Sequence, residues 1–200
     1  FNPLGMEDTG FTVPVEKQAR RAEPHGFDSA GQLCVRRNGP GNAFLAERPA
    51  GMAYVSGGQG LWSTVDDYLT FARMFVNGGT VDDRQLLQPE TFTHMVTNCL
   101  SENQRAGAGS LLNEGHGFGL GVAVVTDPGK AEAMPCGGGV GAVGWPGAFG
   151  GWWRADPNNQ SVLIFLTHNM VELEQLWEGV GLDVYEAITQ FQAHAVSLLR

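Results

Sequence analysis

A glycine-rich segment, residues 137–151, limits what this chain can form more than any other feature. Eight of its fifteen residues are glycine, and Trp152 and Trp153 follow directly. Because glycine has no Cβ, the backbone here can adopt positive φ or lie close against another molecule. The apolar run from Val162 to Leu166 comes next. The pattern predicts a strand edge that faces a ligand.

Within this segment, Gly139, Gly141 and Gly144 spell G-x-G-x-x-G, the dinucleotide-binding pattern. That pattern holds a pyrophosphate only as the turn between a strand and the N-terminus of a helix. Residues 133–138 lack a strand pattern, and the Trp-Pro-Gly sequence at residues 145–147 does not favour a helix start. We therefore expect no nucleotide, and the sequence indicates no other cofactor.

The composition excludes several classes of protein. Of the 200 residues, 42% are apolar and 16% charged, so the chain can bury a core and is not expected to be disordered. The formal net charge of -9 argues against nucleic-acid binding, which needs a basic surface. Every apolar run is shorter than the roughly 18 residues that a membrane-spanning helix needs, so no such helix is predicted.

Residues that bind metals are scattered along the chain. Cys34, Cys99 and Cys136 form no C-x-x-C pair, and the five histidines show no H-x-x-x-H or H-E-x-x-H spacing. We therefore predict no metal site and interpret the cysteines as small buried residues.

Unpaired cysteines slightly favour a reducing compartment such as the cytoplasm. The chain begins at Phe1 in what reads like the interior of a protein, which predicts a fragment.

The helical patterns lie in the middle and at the end of the chain. Ser63, with Asp66 three residues later, predicts a capped helix that ends at Asn77. Its apolar face contains Val65, Leu69, Ala72 and Phe75 or Val76. A second helix is predicted from Pro89 to Leu100, and residues 101–115 are predicted as a loop. The apolar spacing from Leu173 to Leu198, including Trp177, predicts a C-terminal helix interrupted near Gly179 and Gly181.

Strand patterns surround the glycine-rich segment. His116 to Asp127 alternates in hydrophobicity, which predicts one strand. Residues 150–155 and 161–168 flank a turn signal at residues 156–159, which predicts a hairpin. Short strands are also predicted at Gln32–Arg36 and Met52–Val55. The expected fold is α/β of the α+β type, with three antiparallel strands and a closing helix. A loop-rich helical portion (1–115) and a sheet portion with the C-terminal helix (116–200) form one structural unit.

A catalytic centre is not visible from the residues alone. None of the seven serines has a lysine three residues on, and there is no G-x-S-x-G. The acidic pairs at residues 66–67 and 82–83 are typical of a helix start and a turn. A glycosidase-type pair of catalytic carboxylates stays an open alternative, although no particular pair is indicated. The only lysines, Lys17 and Lys130, lie in polar loop sequence.

Five ordered motifs, however, resemble a known family. They cover Pro3–Phe11, Ser56–Tyr68, Phe71–Gly79, Gly117–Gly121 and Trp145–Ala148. In this order they are similar to the C-terminal half of serine β-lactamase-like hydrolases: class C β-lactamases, penicillin-binding-protein relatives and family VIII carboxylesterases. The match covers nearly the whole chain, and the tryptophan at position 145 makes the esterase branch the best fit.

The resemblance implies an acyl-enzyme hydrolase whose S-x-x-K serine and lysine, and whose tyrosine, lie upstream of Phe1. The Tyr-Val-Ser sequence at residues 54–56 imitates the tyrosine motif but is in the wrong place. This chain is then expected to supply the Lys-Thr-Gly or Trp-Gly-Gly strand of the site. The implied backbone oxyanion-hole donor is Ala148, and the implied substrate-binding residues are Trp145, Pro146, Gly147 and Phe149.

Two departures from the family pattern matter. Trp145 replaces the lysine that pairs with a β-lactam carboxylate, so small neutral esters or amides are the expected substrates. Pro146 lacks an N–H and is disfavoured inside a central strand, which indicates an edge, a bulge or an altered ligand side.

Two functional hypotheses follow. The first is the C-terminal portion of a serine hydrolase that is inactive alone. The second is a non-catalytic binding or structural module that kept the scaffold. Because the family sheet combines strands from both ends of the chain, the expected partner is the N-terminal half of the same protein or a second copy.

Overall fold

A computed structural model of the chain describes residues 1–36, 56–58 and 60–199. The helices are α1 (Val65–Val76), α2 (Pro89–Met95), α3 (Glu102–Gly107), α4 (Leu173–Trp177) and α5 (Leu182–Leu198). The strands are β1 (His25–Phe27), β2 (Leu33–Val35), β3 (Thr80–Val81), β4 (Arg84–Gln85), β5 (His116–Phe118), β6 (Ala123–Val125), β7 (Val143–Gly144), β8 (Trp152–Asp156), β9 (Ser161–Phe165) and β10 (Asn169–Met170). Short 3-10 helices cover Asn2–Leu4, Val15–Arg20 and Gly109–Leu111.

The largest sheet among the described residues is antiparallel and has five strands in the order β5-β6-β7-β8-β9. α1 packs on one face, where Phe75 contacts the Trp153 cluster, and α5 packs on the other, where Ile188 joins Trp152. The predicted α+β class with antiparallel strands and a closing helix is confirmed. The sheet has five strands rather than the three expected, because the pattern over His116–Asp127 does not separate β5 from β6, and the two-residue strand β7 is too short to give a strand pattern.

The single strand predicted over His116–Asp127 is wrong. The segment forms two strands, β5 and β6, which pair as an antiparallel hairpin. Gly121 in the connection has φ +87°, and a Cβ on Gly119 would lie 2.0 Å from the carbonyl oxygen of Met95. The alternation hides the turn because its glycines fall on the small-residue face of the pattern.

α1 matches the predicted helix but has a different cap. The hydroxyl of Thr64, not of Ser63, accepts a hydrogen bond from the Asp67 amide (3.3 Å). The Ser63 hydroxyl lies 2.8 Å from that of Thr9 instead. The carboxylate of Asp67 also accepts hydrogen bonds from the amide of Asp8 and the hydroxyl of Thr9. The start of α1 therefore anchors the N-terminal segment.

The buried face of α1 differs from the prediction. Ala72, Met74 and Phe75 are buried, whereas Val65 and Leu69 are 49% and 38% exposed. The rings of Tyr68 and Phe71 meet Trp153 of the sheet, so the packed face of α1 is centred on these positions rather than on Val65 and Leu69.

The region after α1 also departs from expectation. α2 ends at Met95 rather than Leu100. Residues 101–115, predicted as a loop, contain α3. Its capping box joins Ser101 and Gln104, each of which bonds the backbone of the other. This is a sequence signal for a helix start that can be read directly.

The hairpin β8–β9 and the interrupted C-terminal helix are confirmed. Gly179 and Gly181, with φ +85° and +74°, separate α4 from α5. Trp177, predicted on the apolar face, is instead 76% exposed. β2 confirms the short strand expected at residues 32–36, and the strand predicted at residues 52–55 lies outside the described residues. The division at residue 115 stays a prediction.

Candidate active site

A tight turn joins β7 to β8 and contains the residues singled out from the sequence. The Gly147 amide donates to the Gly151 carbonyl (2.6 Å), and the Gly150 amide donates to the Gly147 carbonyl (3.0 Å). Gly150 has φ +77°, whereas neither Ala148 nor Phe149 has a positive φ. This is the geometry of a three-residue hairpin loop, a type I turn followed by a left-handed glycine. We call it the 147–150 turn.

Pro146 lies outside the hydrogen-bonded ladder. β7 ends at Gly144, whose partner in β8 is Arg154. The proline therefore removes no donor from the sheet, and its position beyond a strand end is one that proline tolerates.

Ala148 is the second residue of the turn and is exposed. Its amide has no hydrogen-bond acceptor among the described residues. A turn of this type leaves the N–H of its second residue unused by the turn itself. The Ala148 amide is thus, within that part of the chain, a free donor on a fixed piece of backbone.

The segment after β9 holds the turn in place. The carbonyl oxygen of Phe149 accepts hydrogen bonds from the Asn169 amide (2.9 Å) and the Thr167 hydroxyl (3.1 Å). A Cβ on Gly150 would lie 2.3 Å from the same hydroxyl oxygen. Two hydrogen bonds therefore fix the turn against residues 167–169, and the close approach leaves no room for a side chain at Gly150.

Gly150→Ala is expected to destabilise the fold by more than the roughly 1–2 kcal/mol typical of left-handed backbone strain, because a contact of 2.3 Å must also be relieved. Gly141→Ala is the matched control. Gly141 has a similar φ of +83°, but no described atom lies within 4 Å of the position that its methyl group would occupy. Urea unfolding measures both variants, and equal losses would show that residue 167 does not restrict the turn.

Aromatic side chains lie on both sides of the turn. Trp145 is half-buried and meets Phe118 edge to face, with ring centroids 4.9 Å apart. Phe149 meets His168 in the same manner at 5.3 Å, and His168 meets Trp62 at 5.5 Å. The sequence does not predict Trp62 and His168 as part of the site. No local pattern marks them, because the contact joins distant parts of the chain.

The tryptophans next to the turn belong to the core. Trp152 is 1% exposed, and its indole N–H donates to the Pro135 carbonyl (2.8 Å). Trp153 packs among the aromatic rings of α1. Neither lines the site, which consists of residues 145–149 and their contacts.

A buried polar layer supports the backbone that leads into β7. Asp156 accepts hydrogen bonds from the Gly139 amide and from Asn158, and these bonds hold the pKa of its carboxyl below the usual value despite burial. Arg154 is 3% exposed, and burial lowers its pKa. Burial also raises the pKa of the Cys136 thiol to about 12. Cys136 is therefore protonated near neutral pH and is not a nucleophile.

The remaining candidate catalytic side chains are in ion pairs, are protonated at neutral pH or belong to a motif that begins outside the described residues. Lys17 pairs with Asp8, and Lys130 pairs with Glu114 (2.6 Å). Burial raises the pKa of Tyr68 to about 12, so its hydroxyl is not a base at neutral pH. The Tyr-Val-Ser sequence at residues 54–56 begins outside the described residues. Within the described part of the chain, no cluster of three His, Cys, Asp or Glu residues has a metal-binding arrangement.

No helix that the structure describes is both long and apolar enough to cross a bilayer.

Comparison with known proteins identifies the class. The model of the Beta-lactamase family matches residues 1–180, and the chain belongs to that family. It is 39% identical over 175 residues to Protein Rv1367c of Mycobacterium tuberculosis (strain ATCC 25618 / H37Rv), covering 86% of this chain but 42% of that protein. The chain thus spans less than half the length of this curated relative.

Two solved structures share the fold. EstCE1, described as a hydrolase with promiscuous acyltransferase activity, has 25% identity and a TM-score of 0.66, covering 95% of this chain and 47% of EstCE1. Simvastatin synthase (LovD) from Aspergillus terreus has 19% identity and a TM-score of 0.63, with the same coverages of 95% and 47%. The chain has part of a serine β-lactamase/transpeptidase-like fold.

Proposed function

We propose that this chain is the C-terminal portion of a serine hydrolase that works through an acyl-enzyme. The observation that carries the proposal is the Ala148 amide, a donor without an acceptor among the described residues, on a turn held by backbone and side-chain hydrogen bonds. A preorganised backbone N–H of this kind stabilises the negative oxygen of a tetrahedral intermediate. The serine, lysine and tyrosine are assigned to the N-terminal half.

The side chains of the strand end and turn themselves favour an uncharged substrate. Residues 145–149 carry no charged side chain, and both lysines of the chain are in ion pairs with Asp8 and Glu114. An ester or amide with an apolar acyl group suits aromatic neighbours such as Trp145 and Phe149. The acyltransferase activity in the description of EstCE1 also supports acyl transfer.

The partner in this proposal docks at the outer edge of β9. Within the described residues, β9 pairs only with β8. Its side chains are nevertheless packed on both faces: Val162 and Ile164 pack against the α1 cluster, and Leu163 and Phe165 pack against the α5 cluster. Strands covered on both faces are typical of the interior of a sheet.

The two edges of the sheet differ. At β5, the Phe118 amide donates to the Asn98 side chain (3.1 Å), and the Phe118 carbonyl accepts from the Cys99 amide (2.8 Å). At the start of β9, a groove of about 350 Å³ lies between the strand and α1, with Leu69, Arg73 and Val162 in its lining. We assign a strand of the N-terminal half to this edge, because exposed strand edges pair readily.

Mixing the two halves tests the proposal. A 1:1 complex with restored hydrolysis of a short-chain p-nitrophenyl ester is expected, and neither half should turn over alone. The control is an N-terminal half in which the serine of S-x-x-K is replaced by alanine, which should bind but not hydrolyse. A 1:1 complex without turnover would favour the non-catalytic module. A tight monomer that ignores the N-terminal half would contradict docking at β9, and self-association would indicate a second copy.

A further inference from the structure

His168 connects three segments that are far apart in the sequence. It lies between β9 and β10, and its ring meets Phe149 of the 147–150 turn and Trp62, which precedes α1. Both contacts are edge to face, with interplanar angles of 71° and 87°. The main chain of the same residue also binds β1, since its carbonyl accepts from the His25 amide (2.8 Å).

The hydrogen bonding of the ring defines its tautomer. Nδ1 of His168 lies 3.0 Å from the carbonyl oxygen of Ala22. Because a carbonyl oxygen only accepts, Nδ1 carries the proton, and the neutral ring has its lone pair on Nε2. The ring is therefore oriented by a specific bond as well as by packing.

The residues next to His168 hold the turn directly. Thr167 and Asn169 both donate to the carbonyl of Phe149, which is the residue after Ala148. The His168 ring itself contacts the Phe149 ring, so the ring and the two donors beside it hold the same residue of the turn. The orientation of the Ala148 peptide is coupled in this way to the position of one imidazole.

The position of the ring favours its neutral form. Burial lowers the pKa of His168 from 6.5, and the electrostatic influence of Arg21 and His25 lowers it further, while the bond to Ala22 opposes this shift. The guanidinium of Arg21 lies over the Trp62 ring at 4.3 Å. The 147–150 turn contributes no titratable side chain.

The difference in pKa between the packed and the exposed imidazole determines how the stabilisation by His168 depends on pH. The packed position binds a proton more weakly than an exposed histidine does, so protonation favours arrangements in which the ring leaves this position. The stabilisation that His168 provides is complete above pH 6.5 and is lost as the pH falls through the lower pKa of the packed ring.

We propose that His168 is a positioning residue whose neutral imidazole holds the 147–150 turn, so that the site loses its geometry when the ring gains a proton. The consequence for catalysis rests on the proposed function, whereas the coupling between ring and turn does not. The two are tested separately.

An NMR titration of this chain tests the coupling. The amide signals of Ala148 and Phe149 are expected to shift with the midpoint of the His168 imidazole, below pH 6.5. His168→Phe should abolish that inflection, and His194→Phe, at an exposed position on α5, should leave it unchanged. Ala148 and Phe149 signals that stay constant while His168 titrates would overturn the proposal, even if the Phe variant does not fold.

Hydrolysis by the whole polypeptide tests the consequence. As the pH falls, kcat for a neutral ester should decrease with the His168 titration, while KM stays within about twofold, because the loss concerns the transition state. In His168→Phe, this acid limb should disappear or move by about one pH unit or more. An identical acid limb in both proteins overturns the catalytic role of His168. A wild-type polypeptide without any turnover contradicts the proposed function instead and leaves the NMR result to decide the coupling.

Discussion

Ala148→Pro in the whole polypeptide is expected to lower kcat for ester hydrolysis roughly 100- to 1,000-fold, the usual loss for one oxyanion-hole donor. Proline removes the N–H and changes little else, because the second position of a type I turn is the one that proline prefers. The amide makes no hydrogen bond among the described residues, so its removal breaks none within them. Steady-state kinetics with a p-nitrophenyl ester measures the effect.

Ala148→Gly is the matched control, because it removes the methyl group and retains the N–H. Its kcat should stay within a few fold of the wild-type value. The unfolding transition of Ala148→Pro should remain close to that of the wild type, which separates a missing donor from a damaged turn. Wild-type turnover in the proline variant would contradict the assignment of this amide.

Trp152→Ala is expected to have the largest effect on stability, a loss of roughly 3–5 kcal/mol in the free energy of unfolding. The indole is 1% exposed and packs with Leu163 and Ile188 between the sheet and α5. Its loss also leaves the Pro135 carbonyl without the indole N–H. Urea denaturation monitored by circular dichroism measures the change.

Trp177→Ala is the control for Trp152→Ala. Trp177 is 76% exposed at the end of α4, so its replacement should change stability by no more than about 0.5 kcal/mol. Comparable losses in the two variants would be inconsistent with a core centred on Trp152 and with the packing of α5 on β8.

The sequence predicts best where one local signal decides the structure. The turn at residues 156–159 and the glycines at 179 and 181 appear where expected, because proline fixes φ and glycine permits positive φ independently of tertiary contacts. The cap predicted at Ser63 falls one residue early, since serine and threonine can both cap a helix and serine is the more favoured of the two. Only the contact between Ser63 and Thr9 distinguishes them.

Errors arise where a pattern has two physical meanings. The alternation over residues 116–127 is compatible with one long strand or with a hairpin, and the close approach of Gly119 to Met95 selects the hairpin. The exposure of Trp177 has a related origin, because helical periodicity defines a face but not what covers it.

The candidate site follows from resemblance rather than from periodicity. Trp145, Pro146, Gly147, Ala148 and Phe149 lie together in one strand end and turn, and their functional roles stay predictions. His168 and Trp62 escape prediction because their contacts depend on the tertiary fold. No local sequence pattern indicates that a histidine after a buried strand will contact this turn.

The most direct test of the central claim is a crystal structure of the whole polypeptide phosphonylated at its serine by a phosphonate ester, whose alcohol or phenol leaves. The account predicts that the phosphonyl oxygen lies about 2.7–3.1 Å from the Ala148 amide nitrogen, the geometry of an oxyanion hole. An Ala148 N–H directed into packed protein, with the oxygen bound by other donors, would contradict it.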